Sequence, residues 1–310
     1  MMMHTGRPPA VVLFIHRRPE ATRQVFAAIK NAQPERLFVI ADGAKDDSPV
    51  ETSASKESRL VTEGVNWGCE VTRIYSEVNM GCRNRIVSGL DEVFSAVEQA
   101  IILEDDCVPS LDFFRFASEL LEHFRLEERV MSISGSLWHF PDNFIADSYW
   151  FSNYPAIWGW ATWRRSWEHL SLTEATYPSL RESDWLEKHF GRPGVEAQYW
   201  RQQLDKQLRI GHTWDYMWTL AHWLAGSVSI RPSVNMIRNI GFDASATHTK
   251  NIQHPAAKRD HGKLKFPIKH LETMEYDKER DQYIEQIDHS GQIKQGLREV
   301  SKFLRNRAQR

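Results

Sequence analysis

The 310 residues carry 39 Lys and Arg against 41 Asp and Glu, with 41% hydrophobic and 26% charged residues, a composition ordinary for a globular chain. The balanced charge excludes a chain-wide nucleic-acid-binding surface, and no apolar stretch approaches the roughly 18–20 residues that span a bilayer. Met1–Pro9 lacks the apolar core of a secretory signal, so the sequence predicts a cytoplasmic protein.

The first hundred residues alternate strands and helices. Ala10–Ile15 is a continuous apolar run and reads as a buried strand; Pro19 then suits the first turn of a helix with Ala21, Val25, Ala28 and Ile29 on one face. Arg36–Ala41 is a second strand ending at Asp42-Gly43. Residues 44–64 are polar and Ser-rich and read as a loop with at most a short helix. Val71–Tyr75 is a third strand, and a helix through Ile86, Leu90, Val93, Phe94 and Val97 leads to a fourth, Ile101–Glu104. Such a β-α-β series predicts an α/β fold with a mainly parallel, doubly wound sheet.

Further on the pattern loosens. Leu111–Phe124 reads as an aromatic-rich helix, Val130–Ser134 and Tyr149–Phe151 as short strands, and Thr162–Leu170, Trp185–Phe190, Val195–Leu208 and Asp215–Leu224 as helices. Val228–Arg231 is one more strand. Eleven of the twelve Trp lie between Trp138 and Trp223, and only Trp67 precedes them. That shift divides the chain into residues 1–107, residues 108–250 as a second half of the same domain, and a C-terminal extension, 251–310. Within the extension, residues 292–310 carry Ile293, Leu297, Val300 and Leu304 at helical spacing, with six Lys or Arg around one acid, Glu299. They fit a docked terminal helix or a peripheral contact with an anionic membrane at the inner face. Cys69, Cys82 and Cys107 show no metal-ligand spacing and read as free thiols.

The chemistry is concentrated where Ile101-Ile102-Leu103 runs into Glu104-Asp105-Asp106. Ligands of open α/β sheets bind beyond the carboxyl ends of strands, and three adjacent carboxylates repel one another unless a cation holds them. The carboxylates alone read equally well as a solvated acidic turn, with Asp105 or Asp106 capping the next helix. Other features belong to the same rim of a doubly wound sheet. His16-Arg17-Arg18 and Asp42 follow strands, and Arg17 suits a phosphate or ribose while Asp42 suits a ribose hydroxyl or a base N–H. Asn79–Arg85, with Arg83, precedes a helix whose N-terminus favours anions. Asp215 sits among Trp214, Tyr216 and Trp218, a setting that suits a general base, or it is an N-cap of its helix.

Taken in order, these segments resemble a family. Leu103-Glu104-Asp105-Asp106 with Pro109 and Asp112-Phe113-Phe114 resembles the metal-binding segment of the N-acetylglucosaminyltransferase I family, enzymes of the GT-A fold that use a nucleotide sugar. Asp42-Gly43, Ile157-Trp158-Gly159-Trp160 with Trp167, Trp214–Trp218 and Ser229-Ile230-Arg231-Pro232 follow in the family's order, over roughly residues 10–250. The resemblance implies a GT-A-like fold with a Trp-rich helical region on the acceptor side. It implies Asp106 as the direct ligand of Mn²⁺ or Mg²⁺, Glu104 and Asp105 towards ribose and sugar, and His16, Arg17, Asp42, Arg83, Trp158 and Gly159 along the nucleotide sugar. Asp215 would be the catalytic base, Gly241–His248 a loop over the diphosphate, and His248 a second metal ligand. The membrane anchor and stem of the family's Golgi members have no counterpart in the sequence, so their acceptor does not carry over.

The expected activity is therefore metal-dependent transfer of a sugar from a nucleoside diphosphate, UDP foremost, with inversion. The acceptor would be a glycan or a lipid-linked hydroxyl in bacterial polysaccharide biosynthesis. Two alternatives stand beside it. A nucleotidyltransferase would use a similar sheet, but the loop after the first strand lacks the Gly-rich phosphate cradle. A carbohydrate-binding module would use the Trp residues but has no work for three carboxylates.

Overall fold

The computed structural model describes residues 7–45, 48–191, 194–211, 213–242 and 254–287. Its elements run β1 (Ala10–Ile15), α1 (Pro19–Ala32), β2 (Arg36–Ala41), α2 (Pro49–Val61), β3 (Glu70–Tyr75), α3 (Cys82–Ala96), β4 (Gln99–Glu104), β5 (Cys107–Pro109) and α4 (Leu111–His123). There follow β6 (Val130–Ser134), β7 (Tyr149–Ser152), β8 (Trp160–Trp163), α5 (Arg164–Arg181), α6 (Trp185–His189), α7 (Val195–Ile210), α8 (Asp215–Leu224), β9 (Val228–Pro232) and β10 (Ile237–Asn239).

Eight strands form one sheet in the order β3-β2-β1-β4-β8-β6-β9-β7, and β5 and β10 make a small antiparallel ribbon. The pairs β2/β3, β1/β2, β1/β4 and β6/β9 are parallel, while β8 and β7 run against their neighbours. The fold is thus α/β, with a mainly parallel sheet between helices. Alternate residues of each strand feed opposite faces. Val11, Leu13, Leu37, Val39, Ile101 and Leu103 pack with Val25, Phe26 and Ile29 of α1 and the aromatic face of α4. Val12, Phe14, Phe38, Ile40 and Ile102 pack on the other side with α3, α5, α7 and α8. Strands buried on both faces explain why the sequence reads there as unbroken apolar runs.

Besides the ribbon strands β5 and β10, which the patterning does not predict, two elements depart from the sequence reading. The polar stretch 44–64 contains α2, a helix of 13 residues started by Ser48, whose hydroxyl accepts the N–H of Glu51, with Pro49 in the first turn. Its buried residues are Glu51, Ser55 and Ser58, so no apolar stripe announces it. The second is β8. Trp160–Trp163 is a strand, buried throughout, and the helix expected from Thr162 begins at Arg164 and runs to Arg181.

A helical segment, 278–287, closes the far edge through Asp281. Its carboxylate accepts the Ser152 hydroxyl (2.5 Å) and the Asn153 N–H (2.7 Å). Burial pushes Asp281 up to about 6, against the pull of those two hydrogen bonds and of Arg231. A folded-state pKa above the ordinary 3.8 means that ionisation opposes folding; the contribution is full below the ordinary value and is lost as pH rises through about 6. The melting temperature of the parent, measured relative to Asp281→Asn, should therefore fall between pH 4 and 7. A constant difference across that range would show that Asp281 is not the titrating group.

Candidate active site

The chain winds from β1 outward to β2 and β3, then returns to add β4 on the other side of β1. The gap between the carboxyl ends of β1 and β4 is therefore a topological switch point, where ligands of such sheets bind. Arg18 follows β1 and Glu104–Asp106 ends β4, so both flank that gap. Neither Asp105 nor Asp106 is a helix cap: Ser110 caps α4 by accepting the N–H of Phe113.

Arg18 spans the two aspartates. One guanidinium nitrogen donates to Asp106 Oδ2 at 2.6 Å and the other to Asp105 Oδ1. The pairing raises the Arg18 pKa in spite of its burial. Asp105 is 3% exposed and also accepts the His16 N–H at 3.2 Å. Burial lifts Asp105 to about 6, with Arg18 pulling the other way. Burial first, then the field of Asp106, pushes Glu104 up to about 8, with Arg18 opposing and Asp215 adding. Asp106 is the least enclosed of the two aspartates, its side chain 16% exposed. Its Oδ1 accepts the Cys107 thiol at 3.4 Å and its carbonyl accepts the Ile240 N–H at 2.8 Å. A Cβ on Gly241 would meet Asp106 Oδ2 at 2.0 Å, so only glycine lets the chain after β10 pass this carboxylate unchanged.

Asp215 arrives from α8 and belongs to the same electrostatic cluster. Its charge raises Glu104. It is the first residue of α8; Trp214, not Asp215, holds the cap position. Trp214 lies 5.4 Å from Trp160 of β8, stacked, and Trp167 and Trp218 complete a cluster of four indoles with centroids 5.4–6.3 Å apart. The Gln207 side-chain oxygen accepts the Met217 N–H at 3.1 Å, satisfying one of the helix's first donors. Asp215 is thus mounted on a rigid aromatic base.

The other expected residues have mixed fates. His16 and Arg17 both turn to Glu51 of α2, at 3.1 and 2.9 Å. Burial works against the Glu51 charge, but the Lys45 N–H, Arg17 and His16 hold its pKa below the usual value. Burial holds His16 below its usual value too, although Glu51 opposes this. Glu51 is a site-bracing residue that the sequence reading missed. The Ser48-Pro-Val-Glu51 spacing of a capping box was the available signal. Asp42 accepts N–H groups from Gly43 (2.9 Å), Met80 (2.9 Å) and Gly81 (3.0 Å), bracing the loop before α3. One acceptor position on Oδ2 remains beyond these. Arg83 pairs with Glu174 at 2.6 Å and ties α3 to α5. Trp158 meets Phe242 edge-on at 5.9 Å. Gly159, with φ +63°, would carry a Cβ 2.3 Å from Ile237, and its carbonyl accepts the Gly135 N–H. Its role in the structure is close packing. His248, most of the Gly241–His248 loop and the basic stretch 292–310 lie outside the described residues.

Among the described residues no group of three His, Cys, Asp or Glu is arranged to hold a metal ion. The donors do fit a cation that takes the rest of its shell from a diphosphate, since Mg²⁺ commonly binds one or two carboxylates plus substrate phosphates. Asp106, whose side chain is 16% exposed, would be that donor.

No protein-family model matches the sequence, and neither does any curated protein. Among solved structures the chain is similar to 4-diphosphocytidyl-2C-methyl-D-erythritol synthase from Anaerococcus prevotii. That match has 8% identity and a TM-score of 0.31 over 64% of this chain and 83% of that one. A likeness so loose carries no information on activity. No helix among the described residues is long and apolar enough to cross a membrane.

Proposed function

We propose that the protein is a glycosyltransferase that takes a sugar from a nucleoside diphosphate and passes it to an acceptor hydroxyl with inversion. One observation carries the reading: the carboxylates of Asp105 and Asp106, spanned by Arg18, stand at the switch point of the sheet. The ordered resemblance to the N-acetylglucosaminyltransferase I family supports it further. In this reading the diphosphate lies between Arg18 and Asp106, and Glu104 faces the sugar. Asp215 accepts the proton of the attacking hydroxyl. Asp106 would hold Mn²⁺ or Mg²⁺, which neutralises charge on the departing diphosphate.

Nucleotidyl transfer is the second reading, because a switch-point crevice serves either chemistry. The connection from β1 to α1 argues against it: His16-Arg17-Arg18 leads directly into Pro19, with no glycine loop to cradle a triphosphate. The test incubates the chain with UDP-, GDP- and CMP-sugars plus Mn²⁺ and follows release of free nucleotide. In parallel, nucleoside triphosphates plus sugar phosphates are followed for pyrophosphate. Slow nucleotide release, lost in Asp106→Asn, is the expected result. Pyrophosphate production without nucleotide release would replace the first reading by the second.

A further inference from the structure

We propose that Arg18 is a positioning residue that occupies the metal-facing carboxylate until a nucleoside diphosphate draws it away. The inference rests on the reading of Asp106 as the carboxylate that faces the metal. Arg18 is well placed for this. Its carbonyl accepts both the N–H (2.9 Å) and the hydroxyl (2.8 Å) of Thr22, which pins its backbone at the start of α1. Its side chain is 17% exposed, and its two terminal nitrogens go to two different carboxylates. Asp105 is buried and also held by the His16 N–H, so it is a fixed anchor. Asp106 is the partner that a ligand can reach, and the Oδ2 it would offer is the oxygen on Arg18.

A metal ion arriving alone must displace a charge-assisted, forked contact. A diphosphate changes the balance, because its oxygens give the guanidinium another planar anionic partner. Metal and nucleotide should therefore bind with positive coupling, and Arg18 should be its source. Coupling is reciprocal, so each ligand must tighten the other by the same factor.

The test measures Mn²⁺ binding from the electron paramagnetic resonance signal of the free ion, in the parent, Arg18→Gln and Arg18→Lys, with and without UDP or GDP. Arg18→Gln should bind Mn²⁺ alone at least about tenfold more tightly than the parent, and the nucleotide should add correspondingly less. Arg18→Lys keeps the charge but loses the fork and should fall between. It also serves if Arg18→Gln fails to fold with Asp105 left uncompensated. Equal Mn²⁺ affinity in parent and variants, with binding abolished by Asp106→Asn, would overturn the role of Arg18 and leave the metal site standing. No Mn²⁺ uptake in any of them, with either nucleotide, would remove the metal reading and this inference together.

Discussion

Asp215→Asn should lower sugar transfer by about 10²–10⁴-fold while leaving donor affinity within a few-fold, because it removes a base and keeps its shape. The residue begins α8, and its first donors are partly met by Gln207 from the neighbouring helix, so the amide should disturb the helix little. Loss of the negative charge at the helix start costs only about 0.3–1 kcal/mol. The pair of measurements is a kcat for transfer and a Kd for the donor. Near-normal transfer by the variant would take Asp215 out of the mechanism and favour retention of configuration. A collapse of donor affinity with kcat preserved would make Asp215 a binding residue instead.

Trp160→Ala should cost about 3–5 kcal/mol of folding stability, measured by urea denaturation, since truncating a fully enclosed aromatic leaves a cavity. Trp160 is 2% exposed and touches Trp167, Trp214 and Trp218. The same change removes the ring on which Trp214 stacks, immediately before Asp215. Transfer should fall even under conditions where the variant remains folded, while Mn²⁺ binding near Asp106 stays close to that of the parent. Trp160→Phe fills most of the space and should recover much of both losses. Full activity in folded Trp160→Ala would mean that Asp215 is positioned without the indole cluster.

Much of the framework was legible before the structure. Ala10–Ile15, Arg36–Ala41, Val130–Ser134 and Asp215–Leu224 stand where hydrophobic patterning predicts them. These segments bury whole strands or a strongly apolar helix, and burial is what patterning records. The polar α2 escaped because its buried residues are Glu51, Ser55 and Ser58, which form no apolar stripe. The strand β8 escaped because a run as short as Trp160-Ala161-Thr162-Trp163 looks alike as the start of a helix or as a buried strand. Its pairing partners, β4 and β6, decided the matter.

The site was legible in part for the same reason. Three carboxylates at the end of an apolar run are a local signal. The grip of Arg18 on two of them, the capture of His16 and Arg17 by Glu51, and the turn of Arg83 towards Glu174 depend on how long side chains reach between elements. A sequence records the charges but not their partners.

The reversed strand β8 also bears on the order in which the molecule can assemble. The pairs β1/β2, β2/β3 and β1/β4 join segments complete by residue 104, so half the sheet can form while the rest of the chain is still being synthesised. One free edge of that half-sheet is β4, where Ala100, Ile101 and Ile102 wait for Thr162, Ala161 and Trp160. Until those residues emerge from the ribosome, an apolar edge strand stands open to pairing with any other nascent chain. The strand that brings Trp160 under the candidate base is also the one that seals this aggregation-prone edge.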